Sequence, residues 1–227
     1  MSTTPTVVDP SKNAQLTLPP EVMSGSLGDF ARMMAMGTEV PEEFYFAAAL
    51  TFFGATCGNR LKLNATLNVE PRLYTVLLGE SADVKKSTAL GNTADFFESV
   101  WSGLPATTPG PSMCHGVGSA EGLATSLKKN ANGVVLCYDE LKALIDKSRI
   151  ESSTLLPMVT SLFEKTKYEN ATKNHALQVE NAHLSLVGCC TTATYASMWT
   201  ADAISIGIPN RLPPAWLAPS IRIRTRR

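Results

Sequence analysis

Charge of one sign is what this chain lacks first: 20 lysines and arginines are matched by 20 aspartates and glutamates over 227 residues. A polybasic attraction to nucleic acid or to an anionic membrane is therefore excluded as a property of the whole molecule, and global charge names no partner. The five cysteines form no C-x-x-C pair and the three histidines stand at no ligand spacing, which argues against both a zinc site and a disulfide framework. Reduced core thiols in a cytoplasmic protein are the expectation. A bilayer-spanning apolar run is missing too. Phe44 to Cys57 is strongly apolar, but it is too short to cross a membrane and too far along the chain for a signal peptide, so it reads as a buried helix. At 44% hydrophobic, the chain can bury a substantial core.

What is present is a loop of unusual chemistry. The apolar run Arg72 to Leu78 ends in Gly79-Glu80-Ser81-Ala82-Asp83-Val84-Lys85-Lys86-Ser87-Thr88 and then opens a helical pattern marked by Leu90, Ala94, Phe97 and Trp101. A strand that turns at glycine into a helix aims free backbone N–H groups and the positive end of the helix dipole at one point, which suits a phosphate. Lys-Ser-Thr at that point supplies a mobile cation for terminal phosphates and a hydroxyl for Mg²⁺. The spacing differs from G-x-x-x-x-G-K-[ST]: Gly79 to Lys86 is one residue longer, and Lys85 stands in place of the second glycine.

A second element has the complementary charge. Gly133-Val134-Val135-Leu136-Cys137-Tyr138 is a buried-strand run that ends in Asp139-Glu140. Such a strand delivers an aspartate rigidly to the edge of a sheet, where it can hold Mg²⁺ through water, while the adjacent glutamate polarises an attacking water. The plainer alternative is that Asp139 caps a helix and Glu140 is a solvated first-turn residue.

Between these landmarks the pattern predicts helices over Leu27 to Met36 and Pro41 to Gly58, one beginning near Ser119, a short one around Leu141 to Ile145, and one holding Leu155 to Phe163 with Pro157 in its first turn. Arg60 to Val69 alternates weakly and is expected to form a hairpin with the next strand. Ala182 to Cys189 reads as another buried strand, ending in Cys190-Thr191-Thr192. Apolar strands that end in polar residues and are separated by helices predict an open, mostly parallel α/β sheet with its ligand at the carboxyl ends. The expected division is a disordered arm over 1–20, a small N-terminal helical cap over 21–60, a nucleotide-binding core over 61–212 and an irregular basic tail over 213–227.

The ordered series Gly79 to Ala89, Gly118-Ser119-Ala120-Glu121-Gly122-Leu123, Asp139-Glu140-Leu141-Lys142-Ala143, Leu155 to Glu164, Tyr168-Glu169-Asn170, Leu184-Ser185-Leu186 and Ile206 to Leu212 resembles a RecA-like P-loop ATPase domain of unknown function found in phage, plasmid and prophage primase/helicase-type proteins. That family also carries a stretched loop with a basic pair before Ser-Thr. The resemblance implies that residues 79–88 cradle ATP, with Lys86 on the β- and γ-phosphates and Lys85 as the alternative. It further implies Ser87 or Thr88 on Mg²⁺, Asp139 on its water shell, and Glu140 as the base for the nucleophilic water. Thr191 or Thr192 falls where a γ-phosphate sensor or a helix cap would sit. Arg211 resembles a transition-state arginine offered to a neighbouring copy, the alternative being a surface arginine in a turn.

Other features take bland readings. His115, His175 and His183 are expected to be structural or surface residues, and Glu121 a first-turn residue of its helix. Lys165, Lys167 and Lys173 around Tyr168 suit either a solvated loop or a nucleic-acid contact. Pro213 to Pro219 cannot run through a sheet, and Arg222, Arg224, Arg226 and Arg227 follow, a departure from the family that a truncated or frame-shifted end would produce. The leading expectation is a Mg²⁺-dependent ATPase of a mobile-element DNA replication module. It would work as a homo-oligomer on single-stranded or forked DNA, with no membrane partner. The alternatives are a nucleotide-binding interaction module without efficient turnover, and a small-metabolite kinase for which the sequence offers no acceptor pocket.

Overall fold

The computed structural model describes residues 18–58, 60–63, 70–80, 85–150, 153–171, 176–199, 211 and 214–216. The expected arm, the hairpin over Arg60 to Val69, Ser81 to Val84, His175, Lys173 and the arginine-rich tail lie wholly or largely outside them.

Two N-terminal helices, α1 (Gly25–Ala35) and α2 (Glu42–Cys57), precede strand β1 (Tyr74–Leu78) and helix α3 (Lys86–Ser102). Then come β2 (Ser112–Cys114), α4 (Ala120–Lys129), β3 (Val134–Tyr138), α5 (Lys142–Ser148) and α6 (Leu155–Glu164). An antiparallel hairpin of β4 (Tyr168–Ala171) and β5 (Ala176–Val179) leads to β6 (Leu184–Cys190), α7 (Thr192–Met198) and β7 (Pro214–Trp216). Five strands make one parallel sheet in the order β2-β3-β6-β1-β7.

Period-2 alternation divides the core into two layers. Leu77 of β1, Val135 and Cys137 of β3, and Val187 and Cys189 of β6 face α2 and α3, whereas Val76, Leu78, Val134, Leu136, Leu184 and Leu186 face the helices from α4 to α7. Strands covered on both sides explain why these runs are continuously apolar. Each fully buried Leu or Val contributes about 1.5–3 kcal/mol, so truncating Leu136, which is fully buried, to alanine is expected to cost about 2–5 kcal/mol.

The two N-terminal helices form a layer of the core rather than a cap standing on it. Phe44, Tyr45 and Phe52 of α2 are fully buried against the sheet, and the Thr51 hydroxyl lies 2.7 Å from that of Thr75 on β1. Phe30 of α1 packs its ring against Phe96 and Phe97 of α3. Pro41 and Gly58 bound α2 as expected, and Ser119 caps α4 by accepting the Gly122 N–H.

Two expectations are corrected. The polar stretch after Lys165 holds the β4–β5 hairpin, whose half-buried positions Tyr168, Asn170 and Leu177 alternate with exposed ones. The proline-rich end does enter the sheet: Pro214 pairs with Val76 and Trp216 with Leu78. This is possible because β7 is a short strand, at the sheet edge among the described residues, and begins at its proline, so the missing N–H has little ladder to interrupt.

Candidate functional site

The site is built by β6, which lies between β1 and β3. Its last two carbonyls hold the loops on either side. Gly79 N–H donates to the Cys190 carbonyl (3.3 Å), fixing the exit of β1, and Leu141 N–H donates to the Cys189 carbonyl (2.9 Å), fixing the turn that bears Asp139 and Glu140. Two strand spacings separate the loops, roughly 10 Å. The chain leaves β1 toward α3 on one face of the sheet and leaves β6 toward α7 on the other, so a crevice opens between their carboxyl ends, the place where open α/β sheets bind ligands.

Lys85 is the N-cap of α3 and takes the left-handed conformation, φ 40° and ψ 42°. That costs an L-residue about 1–2 kcal/mol and is a conformation glycine takes without penalty. Its ammonium pairs with Glu39 at 2.9 Å. Lys86 instead folds back along its own loop, donating to the carbonyls of Gly79 (2.7 Å) and Glu80 (3.0 Å). An ammonium has three donors and no carboxylate neutralises this one among the described contacts. Ser87 and Thr88 occupy the first turn of α3 and are exposed, as are Asp139 and Glu140.

Electrostatics locate these groups around one floor. Burial, reinforced by the carboxylate of Asp139 and opposed by Lys86, pushes the Cys189 thiol up to about 12, and Ser87 hydrogen-bonds that same thiol. Burial and Glu140 push Cys190 up to about 11, again opposed by Lys86. Lys86, Ser87, Asp139 and Glu140 therefore surround the end of β6, whose thiols stay neutral and inert at physiological pH.

The remaining expected residues have other partners. Thr191 caps α7, its hydroxyl accepting the Thr194 N–H at 3.1 Å, so the cap alternative holds at that position. Arg211 is not brought to the crevice of its own chain. It pairs with Glu164 at 2.6 Å and adds its field to that of Arg72 around Tyr74, at the amino end of β1. Lys167 pairs with Glu180 across the hairpin, as a solvated loop residue would. Ser81, Ala82, Asp83 and Val84 lie outside the described residues.

A divalent ion would find few protein ligands. Among the described residues no group of three or more His, Cys, Asp or Glu side chains could hold a metal. One hydroxyl from Ser87 or Thr88 and the Asp139 carboxylate form a sparse all-oxygen set. This fits Mg²⁺, which keeps several waters and takes its other ligands from phosphate oxygens.

Compared with known proteins, the sequence matches no protein-family model and no curated protein. Among the described residues no helix is long and apolar enough to cross a membrane.

Sequence reasoning missed the cavity beside the acidic pair, about 550 Å³, which runs along the flank of α3 past Leu90 and Ala94 to the loop after β2. The signal for it was the glycine pair Gly116 and Gly118 following a short strand.

Proposed function

We propose that this chain binds ATP across the crevice, with a RecA-like P-loop arrangement, and hydrolyses it in a mobile-element DNA replication module. The observation that carries the reading is the pinning of Gly79 and Leu141 to consecutive carbonyls of β6, which sets the basic loop and the acidic pair on opposite sides of one strand end. Lys86 exchanges its carbonyl partners for the terminal phosphates, and the α3 N-terminus adds its dipole. Bound Mg²⁺ supplies charge neutralisation on the phosphate oxygens. Glu140 accepts the proton of the attacking water, and Asp139 orients the metal's water shell.

Turnover of Mg·ATP, measured with and without single-stranded DNA, tests this. Glu140→Gln is expected to abolish turnover and spare ATP binding, and Lys86→Ala to lose both. DNA stimulation of the wild type would support the motor role; its absence would remove the DNA partner from the proposal.

One observation favours a second reading. Arg211 is tied to Glu164 at the far end of the sheet, so this arginine does not reach the phosphates of its own chain. An isolated copy is then a nucleotide-binding module with slow turnover, and assembly into a homo-oligomer brings a neighbour's arginine to the site. Turnover that rises steeply with protein concentration would favour assembly; turnover per chain independent of concentration would exclude it.

A further inference from the structure

Asp139 and Glu140 border two spaces. One is the crevice shared with Lys86, and the other is the cavity of about 550 Å³ on the β2–β3 side. Hydrolysis asks for one water beside Glu140, and a water occupies about 30 Å³. A space of this size is that of an organic ligand, for which pockets of about 300–1,000 Å³ are usual.

We propose that this cavity binds one nucleotide unit, a nucleobase with its phosphate, next to the acidic pair. Gly91 of α3 and Gly118 of the loop after β2 both line it, and a Cβ built on either would meet nothing within 4 Å. The missing side chains at these two positions leave room for a flat ring. The loop that forms one wall is held in place: Val117 N–H donates to the Tyr138 hydroxyl at 3.1 Å, and the Cys114 thiol donates to the Gly116 carbonyl at 3.2 Å. The floor is apolar, made by Leu90, Ala94 and Cys137, which suits the ring's faces. The exposed carboxylates of Asp139 and Glu140 on its lining accept from amino groups on the base edge. Lys147 and His115 on the same lining supply donors for a phosphate. Acceptors and donors at the exposed lining, with a buried apolar floor beside them, match the amino edge, phosphate and ring faces of a nucleotide. The orientation, but not the cavity, rests on the proposed placement of the ATP phosphates at Lys86.

The same chemistry comes from a free nucleoside monophosphate or from one unit of a single strand, and the experiment separates them. Equilibrium binding of dAMP, of a short single-stranded oligodeoxynucleotide and of ATP is measured on the full chain as wild type, Gly91→Leu and Lys86→Ala. Leucine at 91 enters open space and replaces a poor helix former with a good one, so thermal melting is expected to show a folded variant. Gly91→Leu is expected to weaken dAMP or oligonucleotide binding at least tenfold and to leave ATP binding within twofold. Lys86→Ala is expected to do the reverse. Oligonucleotide binding tighter than dAMP, with both lost in Gly91→Leu, identifies a strand as the source; dAMP binding alone identifies a free nucleotide. The inference is overturned if neither probe binds, if Gly91→Leu leaves both unchanged, if dAMP is lost in Lys86→Ala instead, or if Gly91→Leu also abolishes ATP binding, which would assign the cavity to ATP's own base. Binding of dAMP or oligonucleotide that depends on Gly91, in a wild type that fails to bind ATP, would uphold this site while sinking the function proposed above.

Discussion

The two ends of the sheet carry charge in opposite ways. At the amino edge Glu70, Arg72 and His183 are 9%, 7% and 8% exposed and crowd together, with Glu70 Oε2 2.9 Å from His183 Nδ1 and 3.3 Å from Arg72 Nε. These contacts are close without being aligned as hydrogen bonds. Arg72 Nη1, however, donates well to the carbonyls of Leu162 and Lys165, both at 2.8 Å, fastening the end of α6 beside β1. At the carboxyl edge Asp139 and Glu140 stand exposed and Lys86 rests on its own loop. Buried charge survives only where its partners are built in, so this cluster serves stability. Exposed charge converging on a crevice keeps unused hydrogen-bonding capacity, and that is what a ligand needs.

The sharpest way to break this comparison is Arg72→Met. It leaves Glu70 buried beside fewer cations and two carbonyls without their donor, and is expected to cost about 3–5 kcal/mol in urea unfolding. A loss below about 1 kcal/mol would make the two edges alike. Gly133→Ala probes the same edge through the backbone. Gly133 has φ 105°, and a Cβ there would stand 2.9 Å from the His183 carbonyl oxygen, so a loss of about 1–3 kcal/mol is expected.

The pH dependence follows from His183. Burial first, then Arg72 and Lys62, hold its pKa below the ordinary 6.5 against the opposing pull of Glu70. The folded state therefore binds fewer protons than the unfolded chain below about pH 6.5, and stability is expected to fall as pH drops from there toward the folded pKa. The groups facing the imidazole are Glu70, Arg72 and Lys62. Subtracting the profile of His183→Gln from that of the wild type isolates this contribution, at most about 1.4 kcal/mol per pH unit. A flat difference between pH 5 and 6.5 would refute it.

Smaller effects belong to the other end. Thr191→Ala removes the cap of α7 and is expected to cost about 1 kcal/mol in thermal or urea unfolding. Glu140→Gln is expected to shift stability by no more than about 0.5 kcal/mol, because the side chain is exposed, while removing turnover entirely. A large destabilisation there would mean that Glu140 is a structural residue.

Much of this was open to reading in one dimension. The continuous apolar runs of β1, β3 and β6, the Ser119 cap and the burial of most of Phe44 to Cys57, Leu50 and Phe53 excepted, are local consequences of side-chain period and composition. The β4–β5 hairpin escaped because only one of its faces is covered, so its strands contain Glu169, Asn170 and Gln178 and lack an apolar run. β7 escaped because a proline rule for central strands does not bind at an edge. The ion cluster at the amino edge joins residues far apart in the chain, and nothing local to Glu70 or His183 announces the other.

By itself the sequence determined which residues end each buried strand: Gly79 and the lysine pair after β1, Asp139 and Glu140 after β3, Thr191 after β6. That information is local, because a strand terminates where its own apolar run meets polar residues. Only the tertiary structure decided that β6 inserts between β1 and β3, that Arg211 turns to Glu164, and that a cavity opens beside the acidic pair. Parallel strands are joined by long crossovers, so their order depends on how separate segments pack together, and no local pattern encodes it.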